Sequence, residues 1–184
     1  MFHITDLTAG DESAVRQAAE LLVDLLPEGW PTMESALQEV RESLPADRIS
    51  RIAVEGEEVL GWVGGLERYR GHVWELHPLV VRRERQRQGI GRALVTDLEE
   101  RVRERGAHSI FVGADDERGE TSLAGIDLYP DPLEHLVRIR NLRGHPYEFY
   151  QRLGYVIVGV VPDANGFGKP DIYMAKRIAP LRQG

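Results

Sequence analysis

The chain reads as one α/β (α+β) layered domain spanning residues 1–184. Three observations lead there. Apolar residues recur at helical spacing in three separate stretches. Around them lie short runs that are rich in β-branched residues or alternate apolar with polar ones. Helices and strands therefore interleave, the pattern of a domain with helices packed on a sheet. The interleaving is not a regular strand–helix repeat, which argues against a doubly wound nucleotide-binding sheet.

The elements follow in order. Phe2–Leu7 is a short first strand. Residues 12–26 carry Val15, Ala18, Ala19, Leu22, Leu25 and Leu26 on one helical stripe. Pro27, Gly29 and Pro31 end that helix. A second helix runs over about 33–44, with Met33, Leu37, Val40 and Leu44 on one face. Ile52–Val54 and Val59–Leu66 are strands joined by a turn at Glu55-Gly56-Glu57. Val73–Val81 is another extended run and Ser109–Val112 a short buried one. Between Gly91 and Arg105, Leu94, Leu98 and Val102 mark a third helix, with Gly106 at its C-terminal cap. A short helix follows Pro146, and strands close the chain at Tyr155–Val161 and Ile172–Ala175.

Composition narrows the function classes. Hydrophobic residues at 42% and charged residues at 29% fit a soluble globular protein. With no cysteine, a disulfide framework, a zinc finger of the usual kind and a cysteine nucleophile are excluded. The opening MFHITDLTAGDES has no long apolar run, and no apolar stretch reaches the roughly 18 residues of a membrane helix. A cytoplasmic protein without a membrane partner is expected. The net charge of −7 disfavours nucleic acid as a partner. That charge is unevenly placed. Arg82–Arg92 holds five Arg against one Glu, whereas Asp115–Glu134 holds seven acids against Arg118. One segment can meet an anion and the other a cation, or both are solvated surface.

Three constellations can carry chemistry. In Gln86-Arg87-Gln88-Gly89-Ile90-Gly91-Arg92, glycines before a helix let backbone N–H groups approach an anion, with Arg87 and Arg92 in support. The third glycine of a dinucleotide fingerprint and the Gly-Lys-Ser/Thr of a P-loop are both missing. A phosphate chain of another kind is implied, against the bland alternative of a glycine turn. In Trp74-Glu75-Leu76-His77-Pro78, strand alternation puts Glu75 and His77 on one face. They are a general base and its partner, or a structural polar pair; a metal site lacks a third ligand at a familiar spacing. Pro78 cannot donate to a ladder and belongs at an edge or irregularity. In His145-Pro146-Tyr147-Glu148-Phe149-Tyr150, the aromatics either pack in the core or offer a hydroxyl that donates a proton.

Gln86-x-x-Gly89-x-Gly91 before a helix, with Phe149-Tyr150-x-x-Leu153-Gly154-Tyr155 late in the chain, resembles the GNAT superfamily of acetyl-CoA-dependent N-acetyltransferases. Residues 74–81, 113–129, 141–155 and 162–176 are more narrowly similar to one branch, the aminoglycoside 6′-N-acetyltransferases. The resemblance implies a GNAT fold: a mixed, mostly antiparallel sheet with splayed central strands flanked by helices. It implies acetyl-CoA as co-substrate and no metal. Gln86, Arg87, Gln88, Gly89, Ile90, Gly91 and Arg92 would bind the pyrophosphate, and the backbone of Leu79 and Val81 the pantetheine arm. The Leu79 N–H would polarise the thioester carbonyl. Glu75 would deprotonate the amine with help from His77, and Tyr150 would serve the departing thiolate. Trp30, Tyr69, Asp115, Asp116 and Asp171 would receive the drug. A homodimer is the family's expectation. Another polycationic amine, such as a polyamine or peptide N-terminus, and a non-catalytic acyl-CoA-binding module are the competing readings.

Overall fold

The structure, a computed structural model, describes residues 1–180. The chain divides into two compact units. Among the described residues, unit 1 is Met1–His108 with Ile178–Pro180, and unit 2 is Ser109–Arg177.

Unit 1 is built on four antiparallel strands that neighbour one another in chain order: β1 (His3–Asp6), β2 (Arg48–Glu55), β3 (Glu58–Arg68) and β4 (Val73–Val81). Helices α1 (Glu12–Leu25) and α2 (Met33–Glu42) come between β1 and β2, and α3 (Ile90–Glu104) follows β4. Local chemistry sets the helix starts. The Asp11 side chain accepts from the Ala14 N–H at 2.9 Å, and Thr32 with Ser35 forms a reciprocal capping box. Ile52, Trp62 and Val80 are register partners on the face covered by α1 and α2, where Ala18, Leu22, Ala36 and Val40 complete the core. The opposite face of β3 carries Gly61 and Gly65. A Cβ there would come within 3.1 Å of Leu94 Cδ1 and 2.8 Å of Leu98 Cδ1, so α3 rests directly on the strand backbone.

β2 begins four residues before the Ile52 expected from its apolar run. The added residues include Ser50 and Arg51, both buried. Burying a guanidinium is costly unless it is paired and hydrogen-bonded. Here Arg51 binds Asp97 of α3 through Nε at 2.6 Å and also bridges to Asp6 of β1. Ser50 accepts from the Trp62 indole at 2.9 Å.

Unit 2 is a three-stranded antiparallel arrangement in the order β5 (Ser109–Asp115), β7 (Asp171–Arg177), β6 (Val156–Val161). The six-residue α5 (Tyr147–Arg152) starts after Pro146 as expected, and Gly154 (φ 90°) ends it. A further short helix, α4 (Pro132–Val137), was not foreseen. β5 also runs three residues beyond Val112, through Gly113 and Ala114 to Asp115. Of the described residues, none forms a helix long and apolar enough to cross a membrane.

Candidate active site

Two features of unit 1 gather the expected chemistry. The first is the loop entering α3. A 3₁₀ turn over Arg83–Arg85 follows β4. Gln86 Nε2 donates to the Val81 carbonyl at 3.0 Å, and Gln88 Nε2 to the Glu84 carbonyl at 3.2 Å, so both amides close the loop on itself. Arg87 (φ 60°) and Gly89 (φ 86°) take left-handed backbone conformations, and Gly89 is the N-cap. A Cβ on Gly89 would meet nothing within 4 Å. The first intrahelical bond runs from the Ala93 N–H to the Gly89 carbonyl at 3.0 Å. The amides of Ile90, Gly91 and Arg92 therefore have no partner within the helix.

Of the five arginines in this segment, Arg82 pairs with Glu58, Arg83 with Asp24 and Arg85 with Glu55. Arg87 and Arg92 are exposed and carry no ion pair among the described residues. The loop thus offers an anion a set of helix-end amides with two arginines, less basic than the sequence count suggested. Free amides, open space and unpaired guanidinia fit a pyrophosphate.

The second feature is β4 on either side of a register slip. Trp74, Leu76, Pro78 and Val80 are buried, while Glu75, His77, Leu79 and Val81 alternate with them and are partly exposed. The β3–β4 register slips between Val63 and Gly65, so that one residue of β3 faces two of β4. The irregularity expected at Pro78 is there. It brings the His77 carbonyl so close to β3 that a Cβ on Gly64 would lie 2.2 Å from its oxygen.

Glu75 and His77 lie on one face before the slip, His77 beside Trp30 and α2, whereas Val81 beyond it lies against Gly61 on the α3 side, and Glu75 and His77 each have a partner elsewhere. Arg68 Nε donates to Glu75 Oε2 at 2.8 Å, and its Nη2 lies 2.7 Å from the same oxygen. His77 Nε2 lies 3.9 Å from Glu39 Oε1 of α2, and the imidazole sits 5.6 Å from the Trp30 ring. His77 thus neighbours Trp30 and Glu39, and no hydrogen bond joins it to Glu75 among the described residues. Tyr69 lies on the β3–β4 turn and is 74% exposed. Tyr69, Arg70 and Gly71 have positive φ in succession, which costs about 1–2 kcal/mol for each non-glycine residue. A cleft of about 510 Å³ opens elsewhere in unit 1, near Leu44, Arg48 and Arg51. None of the residues expected to serve the chemistry lines it.

In unit 2 the expected residues are enclosed. Tyr150 is 6% exposed, packed edge-on against Phe149 (5.1 Å) and Tyr155 (5.6 Å). Burial pushes its hydroxyl well above the ordinary value, so it stays protonated. Asp115 and Asp171 are cross-strand partners at one end of β5 and β7. Asp115 is exposed and accepts from Asn165. Asp116 corrects the expectation of a drug contact. It is 1% exposed, and its two oxygens accept the Glu120 and Thr121 N–H groups at 2.7 and 2.8 Å. Its charge serves the loop backbone.

His145 is also structural. It is 1% exposed, with Nδ1 accepting from the Tyr147 N–H at 3.2 Å and Nε2 lying 3.2 Å from the Asp115 carbonyl. Burial pushes its imidazole below the ordinary range. Sequence reading passed over Arg68 and Glu39. The β3–β4 register, with Leu66 opposite Glu75 and Arg68 opposite Val73, is the signal that finds Arg68. Nothing local marks Glu39. No three His, Asp or Glu side chains among the described residues converge as metal ligands.

The family model described as the acetyltransferase (GNAT) family matches residues 15–129, more than half of the chain. The protein belongs to the GNAT acetyltransferase family. No curated protein matches it in sequence. Among solved structures it is similar to an aminoglycoside 6′-N-acetyltransferase complexed with coenzyme A, at 41% identity and a TM-score of 0.93 over 98% of this chain and 99% of that one. The aminoglycoside 6′-N-acetyltransferase from Enterococcus faecium gives 41% and 0.90 over the same shares. A type Ii aminoglycoside 6′-acetyltransferase gives 37% and 0.77, over 97% of this chain and 99% of that one. A ribosomal-protein-S18-alanine N-acetyltransferase from Escherichia coli, at 15% identity and a TM-score of 0.66, shares the fold.

Proposed function

We propose that this protein transfers the acetyl group of acetyl-CoA to the 6′-amine of aminoglycosides, by direct attack in a ternary complex within one acetyltransferase domain. The observation that carries the reading is the likeness, at 41% identity across 98% of the chain, to an enzyme of that activity bound to coenzyme A. Acetyl-CoA supplies an activated acyl carbon on a thiol leaving group. The amides of residues 89–92 with Gln86, Arg87, Gln88 and Arg92 hold its pyrophosphate. The backbone of Leu79 and Val81 receives the pantetheine arm, and the Leu79 N–H donates to the thioester oxygen as charge develops there.

Glu75 takes a proton from the substrate ammonium, directly or through water, which frees the nitrogen lone pair. The new C–N bond forms as the C–S bond breaks, and the second proton then lost by the acylated nitrogen balances the one the departing thiolate takes up. Tyr150, a donor at any working pH, serves the sulfur that leaves. Much of the acceleration comes from holding amine and thioester together. Asp115 and Asp171 attract other ammonium groups of the drug, and Trp30 and Tyr69 supply aromatic walls. The protein works in the cytoplasm, where acetylating such drugs confers resistance on the cell. We also infer a homodimer, because β6, at the edge of the unit 2 strands, exposes Val156, Val158 and Val161. Light scattering on the purified chain measures that mass directly.

One screen tests the activity. Thiol release from acetyl-CoA is followed with aminoglycosides bearing a 6′-amine, congeners bearing a 6′-hydroxyl, spermidine and peptides, with product position read by NMR. Release is expected with the 6′-amines and not with the 6′-hydroxyls. Turnover of spermidine alone would leave the family and remove the drug.

A further inference from the structure

We propose that Arg68 is a positioning residue for Glu75: it ties down one carboxylate oxygen and leaves the other to receive the substrate's proton. This rests on Glu75 acting as the base. Arg68 closes β3, and Glu75 lies diagonally across from it on the same face of the hairpin, since Leu66 opposes Glu75 and Arg68 opposes Val73. The guanidinium addresses a single oxygen. Nε–H donates to Oε2 at 2.8 Å and Nη2 lies 2.7 Å from it, while Oε1 takes no hydrogen bond among the described residues. Nη1 donates back to the Glu67 carbonyl at 3.5 Å, tethering the fork to its own strand.

The chemistry follows from that asymmetry. A glutamate on a half-open strand face samples several rotamers, and ordering it costs free energy before any proton moves. A charge-assisted bond to Oε2 settles the rotamer in advance and keeps Oε1 available. When Oε1 accepts the ammonium proton, Oε2 keeps its bonds to Arg68, and the proton later leaves to water. Arg68 also carries a positive charge beside the place a polycation must reach. It therefore opposes substrate binding while favouring the chemical step, two effects of opposite sign in KM and kcat.

Steady-state kinetics on an aminoglycoside bearing a 6′-amine test this with Arg68→Met, Arg68→Lys, Glu75→Gln and the Arg68→Met/Glu75→Gln pair. Arg68→Met should lower kcat about tenfold, the scale of a partly exposed charge-assisted hydrogen bond. The drug KM should stay level or fall, and the acetyl-CoA KM should not change. Arg68→Lys should recover most of kcat. In the Glu75→Gln background, Arg68→Met should cost less than twofold more, because the two act as one unit. Three results overturn the inference: an unchanged kcat in Arg68→Met, the same tenfold loss with and without Glu75, or both KM values rising with a lowered Tm. An unchanged kcat in Glu75→Gln alone removes the base itself and the inference with it, a different failure.

Discussion

The two units treat their polar side chains in opposite ways. On β4 of unit 1, Glu75 and His77 are partly exposed and lie beside other side chains, Arg68 for one and Trp30 with Glu39 for the other. In unit 2, Asp116 and His145 are buried and held largely by backbone groups, and Tyr150 is packed among aromatic rings. Side-chain partners can exchange for a ligand at modest cost. A buried carboxylate that satisfies two amides cannot leave them without stranding both. Unit 1 therefore presents groups that can react, and much of the polarity in unit 2 keeps a long irregular segment folded.

The largest expected effect tests the reactive side of that contrast. Glu75→Gln keeps the shape of the side chain and its contact with Arg68 while removing its basicity. A general base typically contributes about 10²–10⁴-fold, so kcat should fall by that order with Tm nearly unchanged. An unchanged kcat between pH 6 and 9 would put Glu75 among structural residues. Tyr150→Phe probes the same boundary from unit 2. It should slow single-turnover acetyl transfer while leaving acetyl-CoA affinity alone, whereas a purely packing role leaves both as they were.

Asp115 and Asp116, adjacent in sequence, should part company. Asp116→Asn replaces an acceptor that serves two amides by a group with one oxygen. At about 2 kcal/mol, Tm should fall by roughly 4–8 °C with drug KM unchanged. Asp115→Asn should leave Tm alone and raise drug KM, the more so at low salt. The same thermal shift in both variants would erase the distinction between the two acids.

The smallest effect is on pH. His145 has a folded-state pKa below its ordinary value, chiefly because burial disfavours the charged form, against the pull of Asp116. The unfolded chain then takes up the proton first, near pH 6.5. Stability is fully present above that pH and declines as pH falls below it. Thermal unfolding between pH 7.5 and 5 should show this decline in the parent, and His145→Gln should flatten it. Equal slopes would remove His145 as the cause.

Much of the fold was legible because local chemistry decides it. The alternation over Val73–Val81 predicts β4 to the residue, and Pro146 and Gly154 bracket α5. What escaped depends on partners far along the chain. Ser50 and Arg51 lie before the strand expected to begin at Ile52, yet Trp62 and Asp97 draw them inward and lengthen β2. The basic run around Arg82 reads as free charge, yet Asp24, Glu55 and Glu58 answer three of its arginines. The glycine loop before α3 and the shared face of Glu75 and His77 were legible as local geometry. The neighbours Arg68 and Glu39 were not, because they come near through register and helix packing.

The seating of α3 on β3 has a mechanical side. Leu98 rests on Gly65 and Leu94 on Gly61, while the free amides lie at the helix's opening turn, eight residues and about 12 Å from Leu98. The helix is a lever with its fulcrum on two glycines. A methyl at Gly65 would lie 2.8 Å from Leu98 Cδ1, so either the leucine turns aside or the helix lifts, and a lift would carry the helix-end amides with it. Loss of activity arising at such a position would look, from the sequence, like a change in an anonymous core strand.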